Sequence, residues 1–389
     1  MKIFFSTLCL LLILTFSACT SSPQNTLKTG TDQNKTAALK TNTPNTVKDA
    51  LPKKLETNID SYSKEIGFSG NIFVAKGGEI LLNKSYGFSD FEHKTLNTND
   101  TRFLVGSLTK QFTAMAIMQL EEKGLLSVED KINKYIDGFP EGDKITIHHL
   151  LTHTSGLPQN IELKPDPSLQ MKATDFKNRY PTAFAISLKE SIDLEKKQSI
   201  SFLFAPGEVY SYSNAGYYLL GYIIEKASGM SYEDYMVKNI LNPLKMTNSG
   251  FGFDRRSNKL LALGYIENNE SITKNSFIDM AAIAPAGGLY STINDLYKWD
   301  RALYKYDLIS KKSMDKIFDG GKFNYGYGWM IEKENGKRIY SHTGLVYGFT
   351  SEITRMVDED TCIIILSNVD DHGTNVDNLD FNIKSILKS

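Results

Sequence analysis

Cysteine is scarce: the 389-residue chain holds three, and two of them, Cys9 and Cys19, fall in its first 19 residues. No disulfide framework is possible in the remainder, and Cys362, inside the apolar stretch TCIIIL, reads as inert core. An excess of either charge is lacking as well. Lys and Arg number 44 against 45 Asp and Glu, a net charge of −1, which leaves no basic footprint for nucleic acid. No apolar run reaches the roughly 20 residues that carry a helix across a bilayer; the one from Ile3 to Phe16 has 14. Internal repeats are absent too. What is present is 41% hydrophobic and 11% aromatic content, enough to bury one large core or two smaller ones, so a globular chain is expected.

The N-terminus follows a different logic. MKIFFSTLCLLLILTFSACTSS carries one early lysine, an uncharged apolar run and then small residues before a cysteine, the pattern of an export signal. FSAC resembles the lipobox of bacterial prolipoproteins, which makes residues 1–19 a signal peptide and Cys19 the lipid attachment site. Phe16 stands where that motif usually has leucine, and a plain cleaved signal is the alternative. Residues 20–50 are rich in Thr, Asn and Lys and have no aromatics, so they cannot bury enough apolar surface to fold and read as a disordered tether. Residues 1–57 hold seven lysines and three acidic residues, leaving 37 basic and 42 acidic side chains, net −5, for the rest. A basic tether suits an anionic envelope, and the expected location is the extracytoplasmic face of the cell membrane, reached through a lipid anchor.

Residues 51–389 form the expected folded domain. LPKKLETNIDSYSKEIG spaces Leu51, Leu55, Ile59, Tyr62 and Ile66 as a helix ending at Gly67. Two alternating runs around Lys76–Glu79 read as a hairpin. From about 125 to 250 the pattern is mainly helical, in SVEDKINKYI, TIHHLLTHTSGLP, NAGYYLLGYIIEKASG and SYEDYMVKNILNPLKM, with a polar stretch from 160 to 200. Strands return in YGYGWMIE, KRIYSHTG, FTSEITRMV and TCIIILSN, before the helical NVDNLDFNIKSILKS. These predict an α+β fold: an antiparallel sheet with strands from both ends of the chain, flanked by N- and C-terminal helices, with a helical insertion between.

FLVGSLTKQFTAMAIMQLEEKGLL sets Ser107 at the start of an apolar helix with Lys110 one turn along. Ser-x-x-Lys alone carries little, because it recurs at Ser61, Ser271, Ser313 and Ser385. Ser107 differs in its setting. A Gly turn leads into a helix apolar enough to be buried, where a desolvated lysine can take a serine proton and the helix N-terminus favours negative charge. The one Tyr-x-Asn, Tyr212-Ser213-Asn214, enters another apolar helix, and His342-Thr343-Gly344 ends a strand-like run. His149 and His153, four apart, could face one way on a helix as metal ligands do, but they lack an HExxH glutamate, and no metal or cofactor is expected. Tyr327 and Trp329 are candidates to border the cleft.

Ser-x-x-Lys, Tyr-x-Asn and His-Thr-Gly in that order resemble the penicillin-recognising serine hydrolases, in the class C β-lactamase and DD-peptidase branch. HHLLTHTSGLP, APGEVYSYSNAGYYLLGYIIEKASG, PAGGLYSTINDLYKW and YGYGW add to the resemblance, which covers roughly residues 55 to 385. It implies the β-lactamase/transpeptidase-like fold, with Ser107 as nucleophile, Lys110 as proton relay and Tyr212 as the general base that later protonates the leaving group. Asn214 would bind the substrate amide. His342 and Thr343 would meet the substrate carboxylate, Gly344 would allow close approach, and the N–H groups of Ser107 and Leu345 would form the oxyanion hole.

The branch's β-lactamases normally have lysine where His342 stands, and histidine is charged only at lower pH. Slow acylation by β-lactams is therefore expected over efficient hydrolysis. The implied substrate is a D-alanyl peptide or ester. An esterase or other amidase of the same fold is the close alternative, and a non-catalytic β-lactam or peptidoglycan binding protein the alternative of another class. A monomer is the default expectation.

Overall fold

The computed structural model describes residues 50–160, 200–252, 258–268, 271–275 and 283–389. All belong to one compact unit, Thr46–Ser389. The signal segment, Cys19, the tether and the polar stretch 161–199 lie outside the described residues.

Six strands make the central sheet: β1 (Gly70–Lys76), β2 (Glu79–Tyr86), β3 (Met330–Glu334), β4 (Lys337–Val346), β5 (Phe349–Met356) and β6 (Thr361–Ser367). Their order is β2-β1-β6-β5-β4-β3, and every neighbouring pair is antiparallel. β1 lies against β6 from Gly70↔Ser367 to Lys76↔Thr361, which joins the two ends of the chain in mid-sheet. β6 is buried at all seven positions, and a strand covered on both faces reads as an unbroken apolar run.

Nine helices occur among the described residues: α1 (Ala50–Glu65), α2 (Thr109–Glu122), α3 (Ile147–Leu151), α4 (Asn214–Ser228), α5 (Tyr232–Met236), α6 (Ala284–Gly287), α7 (Ile293–Lys305), α8 (Lys311–Ile317) and α9 (Thr374–Lys388). The period of two along β1 and β6 divides the core. Ile72, Val74, Ile363 and Ile365 pack with Leu55 and Ile59 of α1 and Leu379 and Ile383 of α9. Phe73, Ala75, Cys362, Ile364 and Leu366 face the other way, into the larger core with Phe112, Leu219 and Trp299.

Two local expectations fail in the helical block. SVEDKINKYI forms only a 3₁₀ turn at Ile132–Lys134. Ile132 N–H donates to Ile145 O at 3.0 Å, and Lys131 bridges to Thr146, so pairing with a distant segment overrides local helix propensity. The helix expected at SYEDYMVKNIL is α5 followed by a π-helical turn, Val237–Leu241. No helix of the described residues is long and apolar enough to cross a membrane.

α2 is the element that matters most for the site. Every residue from Thr109 to Leu120 is buried, the signature of a helix enclosed on all sides. Polar side chains in its first turn are therefore held in the protein interior.

Candidate active site

Ser107 sits in a 3₁₀ turn, Gly106–Leu108, directly before α2. The turn is fastened on both sides: Val105 N–H donates to Leu289 O at 3.0 Å, and Ser351 Oγ of β5 donates to Val105 O at 2.8 Å. β4 presses against it through two glycines. Gly106 has φ +50°, and a Cβ there would come within 2.9 Å of Leu345 N. A Cβ on Gly344 would stand 2.2 Å from Val105 O and 3.1 Å from Ser107 N. Only glycine lets the strand and the serine turn meet backbone to backbone.

That contact brings two N–H groups together. Tyr347 and Gly348 form the two-residue turn between β4 and β5, with Val346 opposite Phe349. Val346 and Phe349 are then a hydrogen-bonded pair and Leu345 and Thr350 a non-bonded one, which turns Leu345 N–H away from β5. On that side β3 reaches only as far as Met330, opposite Ser341. Among the described residues Leu345 N–H is thus left open beside the Ser107 turn.

Lys110 follows one turn later and is 0% exposed. Its Nζ lies 3.0 Å from Ser107 Oγ, 2.9 Å from Asn214 Oδ1 and 2.8 Å from Ala286 O. Burial holds its pKa well below the ordinary lysine value. A neutral amine has two N–H donors and one lone pair. The two acceptors Asn214 Oδ1 and Ala286 O take the donors, which leaves the lone pair for the Ser107 hydroxyl.

Tyr212 and Asn214 flank Ser213, the N-cap of α4. Ser213 is anchored three ways: its Oγ accepts from Gly216 N–H and donates to Pro158 O at 2.7 Å, and its N–H donates to His153 Nδ1 at 3.0 Å. Asn214 Nδ2 donates to Asn160 Oδ1 at 3.1 Å, which orients its Oδ1 toward Lys110. The Tyr212 ring has the Lys110 Nζ 4.9 Å from its centroid and the His153 ring at 4.2 Å. Its hydroxyl is buried without a well-formed hydrogen bond. Burial pushes that phenol's pKa up, and the neighbouring Ser107 side chain draws it part of the way back.

His342 is 1% exposed, whereas Thr343 and Leu345 are exposed, as strand alternation along β4 requires. His342 Nδ1 is 2.6 Å from Thr343 O and its Nε2 is 2.9 Å from Tyr325 Oη. Burial foremost, with the Lys110 charge second, lowers its pKa to about 4. At neutral pH the imidazole is uncharged.

Ser107, Lys110, Tyr212, Asn214, His342 and the Gly344–Leu345 backbone therefore converge on one locus, with Thr343 exposed next to His342 on β4. Other expectations do not. His149 lies on α3, but His153 has a left-handed backbone, φ +57°, beyond the helix end. The two histidines share no helix face: His149 Nδ1 accepts from Thr146 N–H and His153 Nδ1 from Ser213 N–H. Trp329 is core. Tyr327 hydrogen-bonds His148 and lines, with Tyr325, a cavity of about 550 Å³ that Ser107 does not border. Of the YGYGW aromatics it is Tyr325 that reaches the site. The sequence singled out neither Tyr325 nor Ala286 O, and it offered His153 only as a metal-ligand candidate, not as the support of Ser213. Three of the four other Ser-x-x-Lys lysines pair elsewhere, Lys274 with Glu92, Lys316 with Glu121 and Lys388 with Glu334. Cys362 is buried with its thiol pKa raised, as inert core should be.

Comparison with known proteins matches the Beta-lactamase family model over residues 55–388. Penicillin-binding protein 4* of Bacillus subtilis (strain 168) is 34% identical over 335 residues, covering 81% of this chain and 71% of the relative. Teichoic acid D-alanine hydrolase of Staphylococcus aureus (strain NCTC 8325 / PS 47) is 27% identical over 316 residues, 79% and 72% of the two chains. Among solved structures, a penicillin binding protein from Bacillus halodurans superposes with a TM-score of 0.71 at 27% identity, covering 85% of this chain and 98% of that one.

Proposed function

Because the chain belongs to the Beta-lactamase family and is a serine hydrolase, we propose that it acts outside the cytoplasm on D-alanyl esters or peptides, through an acyl-enzyme at Ser107. The observation that carries the reading is the buried Lys110 Nζ, 3.0 Å from Ser107 Oγ, with its other two positions filled by Asn214 Oδ1 and Ala286 O.

In this reading Ser107 Oγ attacks the acyl carbon while its proton passes to the neutral Lys110 Nζ. The N–H groups of Ser107 and Leu345 receive the oxyanion, a contribution of about 3 kcal/mol per donor in comparable sites. The bond to the leaving group then breaks. Tyr212, which burial keeps protonated, gives its proton to the departing oxygen or nitrogen and regains one from Lys110. Water hydrolyses the ester by the reverse path. The pKa directions favour Lys110 as the first base and Tyr212 as the acid. Asn214 and the exposed Thr343 are the proposed substrate contacts.

The D-alanyl group is supported by similarity to the teichoic acid D-alanine hydrolase and to penicillin-binding proteins. The N-terminal sequence supports secretion and anchoring through Cys19 at the outer face of the membrane. Incubating the protein with a D-alanyl ester, a D-Ala-D-Ala peptide, a p-nitrophenyl ester, a chromogenic cephalosporin and fluorescent penicillin, beside Ser107→Ala, tests the proposal. Turnover of a D-alanyl substrate that the variant loses supports it. Rapid cephalosporin loss alone points to a β-lactamase, turnover of simple aryl esters alone to an esterase, and labelling without turnover to a binding protein.

A further inference from the structure

In related motifs a strand cation meets the carboxylate of the substrate, and here that place belongs to His342. A carbonyl oxygen can only accept, so Thr343 O, 2.6 Å from Nδ1, requires the ring hydrogen on Nδ1. In the uncharged ring Nε2 is then an acceptor, and Tyr325 Oη, 2.9 Å away, donates to it. Both nitrogens are committed to the protein, and the ring is 1% exposed. The imidazole has nothing to give an anion.

Among the described residues no other cation is hydrogen-bonded into this place. Lys110 Nζ is shared among three protein oxygens. On β3, alongside, the residue opposite Ser341 is Met330, and the first basic one, Lys333, lies at the far end opposite Arg338. Arg338 is itself paired with Asp358. Among the described residues no Lys or Arg other than Lys110 hydrogen-bonds to Ser107, Asn214, His342 or Thr343. Among the described residues a leaving-group carboxylate finds no hydrogen-bonding cation here, and taking a charge out of water without a charged partner is costly.

We propose that the Tyr325–His342 pair makes this site select acyl donors whose leaving group carries no carboxylate, D-alanyl esters of polyols and C-terminally blocked peptides, over free C-terminal D-alanyl-D-alanine. The inference rests on the hydrolase reading above and narrows its substrate. For the ester, the Ser107 Oγ–carbon bond forms as the ester C–O bond breaks, and the polyol leaves with the proton.

The test compares one N-acylated D-Ala-D-Ala peptide as free acid and as C-terminal amide, together with a D-alanyl glycerol ester. Each is assayed with wild type, Ser107→Ala, Tyr325→Phe and His342→Lys. Wild type is expected to favour the amide over the acid by about 10-fold or more in kcat/KM, the scale of one missing charge-assisted hydrogen bond. Tyr325→Phe frees Nε2 to protonate, so the preference should shrink at acidic pH; His342→Lys should shrink it at neutral pH if it folds. Equal or faster turnover of the acid by wild type overturns the proposal while leaving the hydrolase reading intact. Loss of all Ser107-dependent turnover overturns both. Imidazole ¹⁵N NMR supplies a readout independent of turnover: a neutral His342 with hydrogen on Nδ1 at pH 7 is expected, and a doubly protonated ring overturns the proposal.

Discussion

Lys110 Nζ stands 3.0 Å from Ser107 Oγ at the buried start of α2, and among the described residues none of its hydrogen-bond partners is a carboxylate. An ammonium so placed is destabilised relative to the free amine, so the pair is built to move a proton from serine to lysine.

Replacing Lys110 by Met should therefore reduce kcat by about 10²–10⁴ and cost up to roughly 1–3 kcal/mol of stability, since Asn214 Oδ1 and Ala286 O lose their donor. Because burial lowers the Lys110 pKa, wild-type activity should persist at neutral pH and fall as acid protonates Nζ. The pH dependence of kcat/KM, beside calorimetry of the variant, checks both.

Tyr212→Phe separates chemistry from stability. The hydroxyl is buried and lacks a well-formed hydrogen bond, so its removal should leave stability unchanged or slightly higher. Turnover should fall by about 10²-fold or more, and most for substrates with a poor leaving group. A series of D-alanyl esters of graded leaving-group pKa measures this.

Gly344→Ala should damage the oxyanion site from behind. The new Cβ would stand 2.2 Å from Val105 O, so β4 must withdraw from the serine turn and take Leu345 N–H with it. A loss of about 10²-fold in kcat and of roughly 1–3 kcal/mol in stability is expected, read from steady-state kinetics and urea unfolding.

A pH effect on stability arises on the opposite side of the sheet. Glu352 of β5 and Asp380 of α9 are both buried, and each leaves a carboxylate oxygen unpartnered. Burial first and the Asp380 charge second raise the Glu352 pKa to about 8. A carboxyl that binds its proton more tightly when folded stabilises the fold most at acidic pH. That stability is lost as pH rises from the unfolded value, about 4.3, toward the folded one. Glu352→Gln should gain roughly 1–3 kcal/mol over wild type at pH 8.5 and little at pH 5, as urea midpoints at the two pH values will show.

The parts of this molecule legible in its sequence are those whose physics is local. β6 announced itself as an apolar run because both faces are covered, and α1 and α9 by a stripe of spaced apolar residues. Ser107, Tyr212 and His342 were legible only jointly, since four other Ser-x-x-Lys stretches share the pattern. Non-local partners were hidden: Ile132 binds Ile145 in place of its own helix, and Tyr325, ahead of β3, reaches His342 on β4, 17 residues on. The left-handed backbone at His153 dissolved an apparent helical histidine pair that spacing alone had suggested.

The central claim is an acyl-enzyme on Ser107. Rapid quenching of the protein during turnover of a D-alanyl ester, followed by mass mapping of its peptides, tests it most directly. The account predicts a D-alanyl adduct on the peptide containing Ser107, absent from Ser107→Ala. An adduct on another residue, or ester turnover that survives in Ser107→Ala, would contradict it.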